Sequence, residues 1–335
     1  MRLFVITQSV DSTHVVLGFF VEWLRAFRAH PFVSKITVAS FDSSHERIDG
    51  LDIHRIAVQG KLDRIRSMWK LLRSSDWDVL FVHMTPIWCI ACWPIVLLKR
   101  KKMVLWYTHG SSSVALRMAC LLANEVYTAT AEAFPIRSSK CFTIGHGIPE
   151  YFGLIERKPG DGHRYLSVGR LSRRKRIVEM LAFFDRIRHV DPLASLTLAG
   201  SSMGDAAYET EIHETIERLG LESCVHLIGA IVSDRTPELY AAHDVFLHLS
   251  ATGSLDKVVI EALMGGCVVF STNPATAEGL GLEWFWDGSL DDEAAAKIVA
   301  MAKRDLPVGL RARIAKQYGL TAFIDRCCTM MANLR

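Results

Sequence analysis

Short apolar, β-branched runs alternate with longer amphipathic segments along almost the whole chain, and one glycine- and proline-rich stretch interrupts the alternation. No other feature of the sequence restricts the fold as tightly. Alternation of this kind favours parallel sheets covered by helices on both faces. Before the interruption, strands are predicted near Leu3–Thr7, Lys35–Ser40, Val79–His83, Met103–Tyr107, Val126–Thr130 and Cys141–Ile144. Helices fit between them near Leu17–Ala29, Leu62–Ser74, Trp88–Leu98 and Val114–Ala123. The segment Gly147–Gly162 then gathers Pro149, Gly153, Pro159, Gly160 and Gly162, a linker composition. After it the alternation restarts, with strands near Tyr165–Val168, Ser195–Leu198, Val225–Ile228, Val245–Leu249 and Val268–Ser271. The matching helices lie near Ile177–Val190, Tyr208–Leu219, Glu238–Ala242, Lys257–Met264 and Asp292–Lys303, with a final helix at Thr321–Asn333.

The expected class is therefore α/β, with two doubly wound, Rossmann-like domains. The first spans 1–150 and the second 160–318, and residues 319–335 carry a helix able to return to the first. A length of 335 residues suits two domains. In sheets of this kind ligands bind beyond the strand C-termini, so one site is expected in a cleft between the domains.

No apolar run reaches the roughly 18–20 residues of a membrane-spanning helix. The N-terminal MRLFVITQ reads as a first strand rather than a signal peptide. The eight cysteines lack the spacing of a disulfide scaffold, so reduced thiols and a cytoplasmic location are expected. Cys89 and Cys92 form a CxxC inside "IWCIACWPIVLL", where they read as small core residues. No His, Cys or Asp cluster has metal-ligand spacing, so no metal and no resident cofactor are expected. Residues 1–150 hold 18 Lys and Arg against 12 Asp and Glu, an excess that suits an anionic partner. The apolar run Ile87–Leu98, capped by Lys99–Lys102, reads either as a core helix or as a peripheral contact with an anionic membrane. Basic residues without interleaved aromatics near a recognisable motif fit poorly with nucleic-acid binding.

Three stretches carry candidate chemistry. "SVGRLSRRKR", Ser167–Arg176, places Gly169 after a strand and a dense basic run before a helix. Arg170 and Lys175 there can neutralise a diphosphate, one as a fork of donors and one as a compact charge. Neither a GxxxxGK[ST] loop nor a GxGxxG after the first strand is present, which disfavours P-loop and nicotinamide-binding readings. "TGSLDKVVIEALMGG", Thr252–Gly266, offers backbone N–H groups from Gly253, Ser254 and Leu255 at a helix N-terminus. Within it Asp256 is either a helix N-cap or a ligand-facing carboxylate, and Glu261 can accept from two ribose hydroxyls. "WYTHGSSS" sets His109 just past a strand, and His146 in "GHGI" marks a hinge. Backbone groups around Gly229–Val232 are the candidate readers of a nucleotide base.

Together these residues resemble glycosyltransferase family 4, of the GT-B architecture. Gly169-Arg170-Leu171-Ser172-Arg173-Arg174-Lys175-Arg176 resembles the family loop GRLxxxKG, with Arg176 where glycine is usual. Glu261-Ala262-Leu263-Met264-Gly265-Gly266 resembles the close of its donor site, and "ITQSVDSTHVVLGFFVEWL", "YTHG" and "GHGI" look like a bacterial polysaccharide-biosynthesis branch. The resemblance implies a retaining, metal-independent hexosyltransferase. A nucleotide sugar would be the donor, and a saccharide or lipid-linked saccharide the acceptor. It implies that Arg170 and Lys175 grip the diphosphate and Glu261 holds the ribose. It also implies that Gly18 lets the first loop approach the diphosphate and His109 touches the sugar. Gly253 stands where the family usually has its first glutamate. Asp256 is then expected to take over a sugar hydroxyl, with Lys257 balancing its charge or binding phosphate. The alternatives are a nucleotide-sugar epimerase of the same fold and a catalytically inactive partner subunit.

Overall fold

The computed structural model describes the chain apart from residues 15–16, 44–47, 57–59, 157–159, 233–234, 251–253, 305 and 335. The chain divides into two compact units, Met1–Gly147 with Leu320–Arg335, and Ile148–Gly319.

The first unit contains β1 (Arg2–Val10), α1 (Phe19–Ala29), β2 (Lys35–Ser43), β3 (Asp52–Arg55), α2 (Lys61–Ser74), β4 (Val79–His83), α3 (Pro86–Leu98), β5 (Lys102–Trp106), α4 (Val114–Leu122), β6 (Glu125–Thr128) and β7 (Cys141–Thr143). Its seven parallel strands run in the order β3-β2-β1-β4-β5-β6-β7. Successive side chains of a strand face opposite ways. Leu3 and Val5 thus enter one core and Phe4 and Ile6 the other. Both faces are apolar because both are covered, as parallel sheets require. Cys89 and Cys92 lie fully buried in the second of these cores, and burial pushes the Cys92 thiol up to about 12.

The second unit contains α5 (Tyr151–Leu154), β8 (Arg164–Val168), α6 (Ile177–Val190), β9 (Ser195–Ala199), α7 (Ala206–Arg218), β10 (Val225–Gly229), α8 (Thr236–Ala241), β11 (Val245–His248), α9 (Lys257–Gly265), β12 (Val268–Ser271), α10 (Pro274–Leu280), α11 (Asp292–Ala302) and α12 (Leu310–Tyr318). Its five parallel strands run β10-β9-β8-β11-β12 around one core. The final helix, α13 (Leu320–Ala332), belongs to the first unit, where Phe323 packs on Trp23 of α1. Strand order reverses between β1 and β4 in one sheet and between β8 and β11 in the other. Beyond the carboxyl ends at such reversals the flanking loops part and leave room for a ligand.

Four elements differ from the expected pattern. β3 is a short, half-exposed edge strand whose residues Asp52 and Arg55 hide its period. α5 lies inside the glycine- and proline-rich stretch, where Phe152 is fully buried and packs on Tyr240. The second unit therefore begins earlier than residue 160. α10 is seven residues long and opens on Pro274. α12 carries buried Leu310, Ile314 and Tyr318 at i, i+4 and i+8, an amphipathic signal outside the strand–helix alternation.

Candidate functional site

The chain leaves β8 at Val168 and turns at Gly169, which has φ +140°. The turn is pinned to the neighbouring strand, because Gly169 N donates to Ala199 O and Leu171 N to Ser201 O. Gly200, just past β9, allows this approach: a Cβ there would sit 1.8 Å from Gly169 O. Gly200 N donates in turn to Gly229 O at the end of β10, so three strand ends are tied together.

A single turn of 3-10 helix follows at Arg173–Lys175, and Arg176 then takes a left-handed conformation with φ +53° and ψ +47°. This is the position where the resembling family has glycine, so the backbone keeps a glycine-like shape with arginine in it. An arginine there costs on the order of 1 kcal/mol. The basic run is not uniform. Arg173 lies over the Tyr208 ring and pairs with Glu211 at 2.7 Å, while Arg176 pairs with Glu179. The Tyr208 hydroxyl accepts from Ile177 N and occupies the start of α6. Arg170 is exposed and has no ion-pair partner among the described residues. Arg170 and Lys175 line one small open pocket with Ser167, Gly169 and Ser250.

Lys175 reaches across to the start of α9. Its ammonium donates to Asp256 Oδ2 at 2.6 Å, and His248 Nε2 lies 2.7 Å from the same oxygen. Asp256 occupies the N-cap position of α9, but its side chain caps nothing. Burial alone would raise the Asp256 pKa. The His248 hydrogen bond and the Lys175 charge outweigh it and hold the carboxyl well below the usual carboxylate range. Burial pushes the His248 imidazole down, which favours its neutral ring.

One turn further along α9, Glu261 is buried at 3% exposure. Its Oε2 accepts from the Tyr240 hydroxyl at 3.1 Å. Lys257 Nζ lies 3.1 Å from Oε1, close enough for an ion pair but without hydrogen-bond alignment. The charges of this stretch therefore pair differently from the expectation. Lys257 balances Glu261 one turn away, and Asp256 is balanced by Lys175 from another loop. The Leu255 side chain is buried in the core, where Gly279 leaves it room, and its backbone is the part expected to meet a ligand. Asn273 Nδ2 donates to Ser254 O and fixes the loop just before α9. Gly253 lies outside the described residues.

Arg170, Lys175, Asp256, Lys257, Glu261, Ser254 and Gly229 thus share the carboxyl end of the second sheet. Gly18 and His109 belong to the first unit. A Cβ on Gly18 would come within 2.8 Å of the backbone oxygens of Ser12 and His14, so the first loop needs this glycine to pack on itself. His109 is exposed beyond β5, with Nδ1 2.7 Å from Ser111 Oγ. Sequence reading missed His248, Ser271 and Thr276, because a histidine and a serine at two strand ends and a threonine on α10 match no motif spacing.

Residues 155–285, which hold the loop, the pocket and both carboxylates, match the family described as glycosyl transferases group 1. Over those residues the second unit is similar to the group 1 glycosyltransferases. No curated protein matches the chain in sequence. Among solved structures, HepE of Anabaena, in complex with UDP and glucose, is similar over 100% of both chains at 18% identity and a TM-score of 0.76. The lipopolysaccharide outer core galactosyltransferase WaaB covers 99% of this chain and 100% of its own, at 12% identity and a TM-score of 0.73. Sucrose-phosphate synthase of Thermosynechococcus elongatus covers 99% and 98%, at 14% identity and 0.72. At these identities the likeness is one of fold, and it gives the two units the GT-B architecture.

Proposed function

We propose that the protein is a retaining, family 4 glycosyltransferase that moves a hexose from a nucleotide sugar to a cell-envelope saccharide or lipid-linked acceptor. The observation that carries this reading is the pairing of Arg170 and Lys175 on the β8 loop beside the start of α9. Two cations of different shape beside helix amides suit a leaving diphosphate, whose charge grows as the glycosidic bond breaks. The HepE complex with UDP and glucose supports a nucleotide-sugar donor, and WaaB supports an envelope acceptor. The ribose role of Glu261 requires the hydroxyls to share a carboxylate already held by Tyr240 and Lys257. The roles of Gly18 and His109 rest on the resemblance alone. Because side-chain cations neutralise the leaving group, donor turnover should persist in excess EDTA. Assay of nucleotide-sugar hydrolysis or transfer with and without chelator checks this. Complete loss in EDTA, restored by magnesium or manganese, refutes metal independence.

The same reading places the enzyme peripherally on an anionic membrane. Among the described residues no helix is long and apolar enough to cross one. α3 carries no charge, yet Ile87, Leu97 and Leu98 are exposed on it, as are Val114, Met118 and Leu121 on the adjoining α4. Of the basic cap expected to bind lipid, Lys99 is spent on the carbonyls of Leu72, Arg73 and Ser75, and Lys101 pairs with Asp78. Arg100 of the cap stays exposed, and further exposed cations lie on α2, at Lys61, Lys70 and Arg73, with Arg117 on α4. The protein should sediment with vesicles containing phosphatidylglycerol at low salt and detach at high salt, since screening acts within about 8 Å at physiological ionic strength. Equal binding to neutral vesicles would remove the electrostatic part.

A further inference from the structure

The pair Lys175–Asp256 sits at the end of a directed hydrogen-bond chain. His248 Nδ1 lies 2.9 Å from Ser271 Oγ, which lies 2.9 Å from Thr276 Oγ1. Ser271 and Thr276 are fully buried and His248 nearly so. An ionised carboxylate only accepts, so His248 Nε2 carries the proton toward Asp256. A neutral ring then accepts at Nδ1 from Ser271, and Thr276 donates to Ser271. Every group in the chain points its donor toward Asp256.

This arrangement does not serve the helix, since the Asp256 side chain caps nothing. It holds a full negative charge against one of the two cations of the phosphate pocket. A diphosphate entering there meets Arg170 at full strength and Lys175 already half neutralised. Each further charge on the ligand is repelled by Asp256 at short range.

We infer that Asp256 is a specificity residue of the phosphate pocket, favouring a diphosphate esterified at both ends over one with a free terminal phosphate. A nucleotide sugar is of the first kind and carries two negative charges. The nucleoside diphosphate released after transfer is of the second kind. Its terminal phosphate, with a second pKa near 6, brings it to almost three charges at neutral pH. Asp256 thereby lets the site hold its donor and shed its product. This rests on the proposed reading of Gly169–Lys175 as a diphosphate loop.

The test uses two probes without a base, inorganic pyrophosphate and its P1,P2-dimethyl ester, titrated calorimetrically into the full chain at pH 7.5. Asp256→Asn keeps an acceptor for His248 and removes only the charge. It should tighten pyrophosphate about tenfold and the dimethyl ester about threefold, as expected for removing one nearby like charge. His248→Gln keeps the carboxylate and a donor to it, and should leave the ratio of the two affinities as in the wild type. An unchanged or reversed ratio in Asp256→Asn overturns the inference, as does an equal shift in His248→Gln. If neither probe binds the wild type, or Lys175→Ala leaves both affinities intact, the loop is not a diphosphate site and the inference falls with that reading. Should Asp256→Asn not fold, Asp256→Ser carries the same test.

Discussion

Gly200→Ala is expected to unfold the second unit at a melting temperature roughly 10 °C lower, the shift that about 3–5 kcal/mol produces in a unit of this size. The methyl group would stand 1.8 Å from Gly169 O, well inside contact distance. Neither side can yield cheaply. Gly169 is tied by its amide to Ala199 O, and Gly200 by its own to Gly229 O. Relief requires either lifting the Gly169–Lys175 loop from β9 or pulling β9 from β10. The first outcome also displaces Arg170 and Lys175, so anion binding should fall along with stability. Gly204→Ala is the control. That glycine has φ +94° and nothing within 4 Å of a new Cβ, so only backbone strain on the order of 1–2 kcal/mol is expected. Differential scanning calorimetry of the two variants checks the contrast, and equal melting temperatures would contradict it.

The position of that loop was legible in the sequence, while its fastenings were not. A strand ending in glycine before a basic run places Gly169–Arg176 at a strand C-terminus, and the strand–helix alternation places that strand in a parallel sheet. The sequence does not say which cation is spoken for. Arg170, Arg173, Lys175 and Arg176 look alike in a row. Folding hands Arg173 to Glu211 and Arg176 to Glu179, and hands Lys175 to an aspartate 81 positions away. The pairing of Lys257 with Glu261 was legible as an i,i+4 helix pair. In the sequence, however, Asp256, adjacent to Lys257, looks like the nearer partner. His248 left no trace, since its role depends on Ser271 and Thr276 reaching it from the next strand and helix. The core was read more easily than the site because burial leaves a period in the sequence, whereas a hydrogen-bond chain across loops leaves none.

Lys175→Ala should cost about 2–3 kcal/mol of stability, because it strands a carboxylate that is only 20% exposed with a neutral histidine as its remaining partner. Much of that cost should return in Lys175→Ala/Asp256→Ala, which removes both charges and measures the coupling directly. Lys175→Ala should also weaken a bound diphosphate, the usual loss for one charge-assisted contact being about 1.5–3 kcal/mol. Since Lys175 pairs with Asp256 and is also proposed to hold the diphosphate, its variants would mix stability with affinity. Arg170 does not: it is exposed and has no ion-pair partner among the described residues, so its removal leaves the fold intact. The most direct test of the diphosphate site is therefore calorimetric titration of Arg170→Ala and wild type with a panel of nucleoside diphosphates and their matching nucleosides. The expected result is a loss of about tenfold or more for the diphosphate that binds wild type, at unchanged melting temperature, with nucleoside affinity within about twofold. Equal losses for nucleoside and diphosphate would place Arg170 away from the phosphates and contradict the site.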